Sequence, residues 1–268
     1  MGGSLGEKIG EGAFADVHVW APGQVLKLFR AGISRRIAWH EARMTRAVFA
    51  AGGPALEVLD EVTLDGRFGI VLPHLEGPTL LHLSRTGAMS TEETGAILAP
   101  LYMSVHKTTP PPDVLSLYDW MAGSMRIHAE TIPKHISTGV LNLIERLSPG
   151  DGLCHCDLNS GNVIMTAQGP RIIDWTGAVR APAALDLGCG HVVLTELAPE
   201  RVNDPERPRA VNTALQSEYA RLAGMSSAAL ATAVEAYLPI ARVFAILGPA
   251  PSPALREILI QRVEAALR

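Results

Sequence analysis

The chain has 268 residues, 47% of them hydrophobic, and a formal net charge of −4. That is enough apolar content for a substantial core and two lobes, and an acidic balance offers no basic face for nucleic acid. Cys154, Cys156 and Cys189 include no recurring C-x-x-C pair and the opening residues lack a signal-peptide pattern, so a reducing, cytoplasmic setting without a disulfide framework is expected.

In chain order, the first informative segment is Ile9-Gly10-Glu-Gly12-Ala13-Phe14-Ala15-Asp-Val17-His-Val19-Trp20, a G-x-G-x-x-A-x-V loop. A dinucleotide-binding fingerprint shares these glycines, but there the loop opens a helix. Here Val17, Val19 and Trp20 lead into a Pro22-Gly23 turn and a second β-type run, Val25 to Phe29. Strand, glycine loop, strand, turn and strand resembles a kinase phosphate loop folding Gly10, Gly12, Ala13, Phe14, Ala15 and Val17 over ATP. Lys27, in the third strand, is placed to reach the α- and β-phosphates. Glu41 follows fourteen residues later on a helix with Ile37, Glu41, Met44 and Val48 on one face, where an ion pair with Lys27 is expected. Phe68 to Leu72 reads as a buried strand ending at Pro73-His74-Leu75-Glu76-Gly77. Ser90-Thr-Glu-Glu93 is a capping box before a long helix carrying Ile97, Leu98, Leu101 and Val105. Pro110-Pro-Pro112 is a stiff connector.

The densest chemistry lies in Leu153-Cys-His155-Cys-Asp157-Leu-Asn159-Ser-Gly-Asn162-Val-Ile and Arg171-Ile-Ile-Asp174-Trp. Phosphoryl transfer needs one carboxylate facing the acceptor hydroxyl and two oxygen ligands holding Mg²⁺ on the nucleotide. Asp157 suits the first task, and Asn162 and Asp174 the second. The runs at Val163 to Met165 and Arg171 to Ile173 flank a turn, and such a hairpin returns Asp174 to the end that carries Asn162. A zinc cluster of Cys154, His155, Cys156 and Asp157 is disfavoured, because adjacent strand residues point to opposite faces.

Together these elements resemble the aminoglycoside phosphotransferase and choline kinase superfamily, small-molecule relatives of the protein kinases, over about Ile9 to Asp186. The family's H-G-D-[LI]-x-x-x-N loop is matched by His155, Asp157 and Asn162, and its I-D-W/F segment by Ile173-Asp174-Trp175. The resemblance makes Asp186 a structural carboxylate beneath the loop and His155 a residue that fixes the loop by hydrogen bonds. It implies an α+β, two-lobed protein-kinase-like fold. Residues 1–74 would form an antiparallel sheet plus helix, with a hinge at about 72–77. Residues 75–268 would form a larger, mostly helical lobe carrying the catalytic-loop hairpin. The Pro73 carbonyl and Leu75 N–H become the adenine partners. Cys156 stands where the family has Gly, which a small thiol fits if its φ is negative. Asn159 replaces a residue that is often His or basic, and Ala15 replaces the third glycine.

The implied activity is transfer of the γ-phosphoryl group of ATP (or GTP), with Mg²⁺, to a hydroxyl of an aminoglycoside or other antibiotic, an amino alcohol or a sugar. A non-catalytic nucleotide-binding sensor or scaffold is the alternative of a different class. A protein kinase is disfavoured because only Trp175 to Leu185 separates Asp174 from Asp186, too little for a peptide-docking segment. From Gly190 to Ile240, six acidic residues face four arginines, a balance that does not favour a polycation. Beyond Asp186 the chain reads as helical: Asn203 to Pro208 as a loop, Leu230 to Leu238 as one amphipathic stretch, and Leu255, Ile258, Leu259 and Val263 sharing the face of another. The apolar stretch from Tyr237 to Leu247 is interrupted by Pro239 and Arg242, so no membrane span is expected.

Overall fold

The computed structural model describes residues 5–147, 150–248 and 251–268. The chain opens with β1 (Lys8–Glu11), β2 (Ala15–Ala21) and β3 (Gln24–Phe29), then α1 (Arg35–Ala50), β4 (Asp60–Leu64) and β5 (Arg67–Pro73). The strands form one antiparallel sheet in the order β1-β2-β3-β5-β4. Gly23, at φ +72°, makes the tight turn between β2 and β3 possible. Central β3 carries Leu26, Leu28 and Phe29 into the core, and Lys27 stands between Val17 on one neighbour and Ile70 on the other. α1 begins where Ser34 Oγ accepts the Arg36 N–H, and buries Ala38, Glu41, Met44 and Val48. Among these, Glu41 is the one charged side chain.

After β5 the chain turns helical: α2 (Leu80–Thr86), α3 (Thr91–Lys107), α4 (Leu117–Ile127) and α5 (Lys134–Arg146). The capping box is in place, with Ser90 Oγ accepting the Glu93 N–H at 3.1 Å and Glu93 Oε2 accepting the Ser90 N–H at 2.8 Å. Next come β6 (Gly152–Cys154), the hairpin β7 (Val163–Thr166) and β8 (Gly169–Ile172), and β9 (Val179–Ala181), which pairs with β6. Four helices close the fold's larger part: α6 (Ala183–Val192), α7 (Glu206–Ala223), α8 (Ser227–Leu247) and α9 (Pro253–Ala266). One buried cluster surrounds Leu98, Tyr102, Leu153 and Trp175, and a second surrounds Met121, Ile136, Ile240 and Leu259. Each such fully buried large side chain contributes about 1.5–3 kcal/mol. This is the mixed α+β, protein-kinase-like architecture, an N-terminal antiparallel sheet followed by a larger helical part.

Three local expectations need correction. α8 runs unbroken through Pro239, because Pro239 and its neighbours are packed into the core, where burial offsets the lost hydrogen bond. By length and composition α8 could cross a membrane, yet it packs on α6 and α9, and Arg242 pairs with buried Glu196. α7 starts inside the expected Asn203–Pro208 loop, with Pro208 in the first turn where no intrahelical donor is required. Ile258 is exposed while Leu255, Leu259 and Val263 are buried, so the core-facing stripe of α9 is narrower than its apolar sequence pattern.

Candidate active site

Lys27, Glu41 and Asp174 form the bridge between the sheet and the helical part. Lys27 Nζ donates to Glu41 Oε1 at 2.5 Å and lies 3.3 Å from Asp174 Oδ2. Burial opposes the Lys27 charge, but the two carboxylates outweigh it and hold the ammonium well above the ordinary lysine range. Burial would likewise raise Asp174, yet Lys27 and the Thr176 hydroxyl, which donates to Asp174 Oδ1 at 2.7 Å, hold its carboxyl below the usual range. Asp174 adopts φ +65°, a left-handed conformation that Asp tolerates better than most residues. Here it turns the carboxylate from the end of β8 toward Lys27.

The loop after β6 gathers the other polar groups. His155 is fully buried: Asp157 N–H donates to its Nδ1 at 3.3 Å, and its Nε2 lies 3.1 Å from the Ile173 carbonyl, an acceptor that requires a proton on Nε2. The Asp157 carboxylate accepts from Asn159 Nδ2 and Asn162 Nδ2, both at 2.9 Å. Solvent reaches Asp157 through the cleft, but protein crowds it on the other sides. Burial chiefly, and the Asp174 charge next to it, push its carboxyl up to about 6. The hairpin closes the arrangement, since Ile173 N–H donates to the Asn162 carbonyl at 3.0 Å and brings Asp174 beside Asn162. With its Nδ2 turned to Asp157, Asn162 has its Oδ1 left to face a cation. Asn162 Oδ1 and the Asp174 carboxylate are hard oxygen donors of the kind Mg²⁺ takes, so the residues present fit that ion.

Beneath the loop, Asp186 is completely buried and accepts the His155 N–H at 2.9 Å and the Cys156 N–H at 2.7 Å. Its Oδ2 also lies 3.1 Å from His106 Nε2, and His106 Nδ1 lies 2.8 Å from the Tyr219 hydroxyl. Burial alone would raise the Asp186 carboxyl, but these donors hold it below the usual range. Turning both N–H groups down onto one carboxylate forces Cys156 to φ +59°. The condition set for a thiol at this position, a negative φ, is not met: Cys156 holds a glycine conformation, with its thiol packed in the core and pushed well up by burial.

The family model for the phosphotransferase enzyme family matches residues 7–225. The chain belongs to this family. Comparison with curated proteins gives no match. Among solved structures, a choline/ethanolamine kinase family protein from Mesorhizobium loti is 18% identical, covering 99% of this chain and 88% of its own, with TM-score 0.52. An aminoglycoside-3'-phosphotransferase of type VIII is also 18% identical over 88% of this chain and 93% of its own, at TM-score 0.52. A choline kinase from Cryptosporidium parvum is 14% identical over 97% and 87%, at TM-score 0.56. At these identities the likenesses concern the fold.

In this small-molecule phosphotransferase the glycine loop lies between β1 and β2. The Gly12 N–H is taken by the Ala15 carbonyl at 2.8 Å, whereas the N–H groups of Ala13 and Phe14 have no partner among the described residues. Gly10 packs against Val17, which lies across the two strands. Pro73 ends β5, the His74 N–H donates to the Gly23 carbonyl, and Leu75 follows, half-buried. Gly77, at φ +149°, approaches the Met165 carbonyl so closely that any Cβ would collide with it, and Met165 N–H donates to the Pro78 carbonyl at 2.9 Å. The segment leaving the sheet is thereby tied to the hairpin that holds Asn162 and Asp174. Thr176, His40, His106 and Tyr219 are the site's supports that sequence reasoning missed. The Thr176 carbonyl lies 3.2 Å from His40 Nε2, which ties α1 directly to the Asp174 loop. A hydroxyl two residues after Asp174 was the available signal for Thr176. The other three gave none, being isolated residues on helices.

Proposed function

We propose that this phosphotransferase moves the γ-phosphoryl group of ATP (or GTP) to the hydroxyl of a small molecule, drawn from hydroxylated antibiotics, amino alcohols and sugars, in the cytoplasm and without nucleic-acid or membrane partners. The observation that carries this reading is the continuous array Lys27–Asp174–Asn162–Asp157, in which an ammonium, two oxygen donors and a solvent-facing carboxylate sit on one cleft. Free N–H groups at Ala13 and Phe14 cover the phosphates, and Lys27 neutralises part of their charge. The Pro73 carbonyl and Leu75 N–H take the adenine edge. Mg²⁺ held by Asn162 and Asp174 would supply neutralisation of charge on the phosphate oxygens.

Asp157 accepts a hydrogen bond from the acceptor hydroxyl and aims its oxygen in line with the γ-phosphorus. The new P–O bond forms as the bond to the β-phosphate oxygen breaks, ADP leaves, and the hydroxyl proton passes late to Asp157. Asn159 and Asn162 fix the carboxylate, and His155, Cys156 and Asp186 fix the backbone beneath it. Asp157→Ala should lower kcat by about 10²–10⁴-fold while nucleotide affinity stays close to wild type. Asp174→Ala should lose both. An ADP-release assay paired with calorimetric nucleotide binding separates the two, and near-wild-type turnover in Asp157→Ala would sink the assignment.

A further inference from the structure

A cavity of about 400 Å³ opens beside the catalytic loop, between α2, Ser160 and the start of α7. Ser160 lies three residues after Asp157 in the same loop. The lining combines apolar Leu81, Leu194 and Val211 with polar Ser84, Arg85 and Arg207. Neither guanidinium forms an ion pair among the described residues. Arg85 makes no hydrogen bond or ion pair among the described residues. Arg207 is half-buried and uses Nη2 to donate to the Met89 carbonyl at 2.7 Å, while its Nε is buried with no partner.

The nearby carboxylates do not answer them. Asp204 also lines the cavity; its Oδ1 accepts the N–H groups of Glu206 and Arg207 at the start of α7, and it forms no ion pair with either guanidinium among the described residues. Glu92 lies close enough to Arg207 to feel its charge, yet it forms no ion pair with it. Glu196, the buried acid of the turn after α6, is held by Arg242 at 2.9 Å and Arg262 at 2.7 Å. Arg207, half-buried without an ion pair, carries a desolvation cost that an anionic ligand would offset, and exposed Arg85 is free to join it. A polycation would meet charges of its own sign.

We propose that this cavity is the acceptor pocket and that it selects acceptors carrying an oxyanion, a carboxylate or a phosphate, close to the hydroxyl that is phosphorylated, with Arg85 and Arg207 as the specificity-determining residues. The proposal rests on the kinase reading above and narrows its acceptor. Guanidinium groups bind either oxyanion by paired N–H donors, and the hydroxyls of Ser84 and Ser160 are available to the polar part of the molecule.

The test is ADP release with Mg·ATP on matched acceptors that differ in charge: gluconate, glucose 6-phosphate, glucose and glucosamine. The anionic members should have the highest kcat/KM, and the ratio of gluconate to glucose 6-phosphate identifies which oxyanion fits. Arg85 is exposed and unbonded, so Arg85→Gln should keep the wild-type melting temperature. It should lower kcat/KM for the preferred anion by about ten- to a hundredfold, mostly through acceptor KM. Arg207→Gln should act in the same direction, and Arg85→Glu should shift preference toward glucosamine. Turnover of glucose or glucosamine in preference to both anions would leave the kinase reading intact and overturn the inference, as would an unchanged acceptor KM in Arg85→Gln. No ADP release with any member would overturn the inference, and the kinase reading falls with it if calorimetry also finds no binding of Mg·ATP.

Discussion

Cys156 holds φ +59° because its N–H and that of His155 both reach Asp186, and a side chain in that conformation costs about 1–2 kcal/mol. Cys156→Gly removes that cost along with the packing of a small buried thiol, so urea unfolding should find it within about 1 kcal/mol of wild type. Cys156→Val should be destabilised by more than about 2 kcal/mol, since β-branching is worst tolerated at positive φ. The sign of φ was not legible in the sequence, because it is fixed by a carboxylate thirty residues away. Asp157 and Asn162 were legible, because their spacing within one loop is itself the geometry of the site. Asp157 also gives a pH signature. In the metal-free protein its carboxyl is pushed up to about 6, above the ~3.9 of an unfolded chain, so the folded state binds the proton more tightly. That contribution to stability is complete below about pH 4 and is lost as pH rises through 6. Asp157→Asn should therefore stabilise the protein at pH 7.5 and change little at pH 4. Because solvent reaches the carboxyl, the gain should be about 1 kcal/mol or less, read by denaturant unfolding at the two pH values.

Among the elements, β6, α3 and α6 meet at Asp186, which serves His155, Cys156 and His106 at once. Asp186→Ala leaves two buried N–H groups without an acceptor and should cost about 3–5 kcal/mol in chemical denaturation. A loss below about 1 kcal/mol would contradict this structural role. Spacing after Asp174 pointed to Asp186, but its partners His106 and Tyr219 come from helices distant in sequence. The strands, the α3 capping box and the hairpin were readable because alternation, caps and turns are local signals. Pro239 misled for the opposite reason: α8 is stabilised by packing against other elements, which no local rule registers.

At the scale of the molecule, the sheet and the helical part meet through Lys27–Asp174, His40–Thr176 and the Gly77–Met165 approach. The first of these contacts is made by the groups proposed to bind nucleotide and metal, so ligand binding and the joining of the two parts are coupled. Mg·ATP at a hundred times its Kd should stabilise the protein by about 2.7 kcal/mol, a rise of roughly 5–10 °C in melting temperature. Asp174→Ala should abolish most of that rise. The two-part architecture was legible from motif order, because each motif belongs to a particular strand, loop or helix. The acceptor pocket was not, since it gathers three residues from α2, one from the catalytic loop and three from α7, segments far apart in sequence.

The most direct measurement is ³¹P NMR of the protein with Mg·ATP and the best acceptor of the charge-matched set. We predict a new phosphomonoester resonance growing in step with ADP, absent in Asp157→Ala under conditions where calorimetry shows that variant binding Mg·ATP with near-wild-type affinity. A phosphomonoester formed at an undiminished rate by Asp157→Ala, or ADP appearing only with inorganic phosphate, would contradict phosphoryl transfer to a hydroxyl aligned by Asp157.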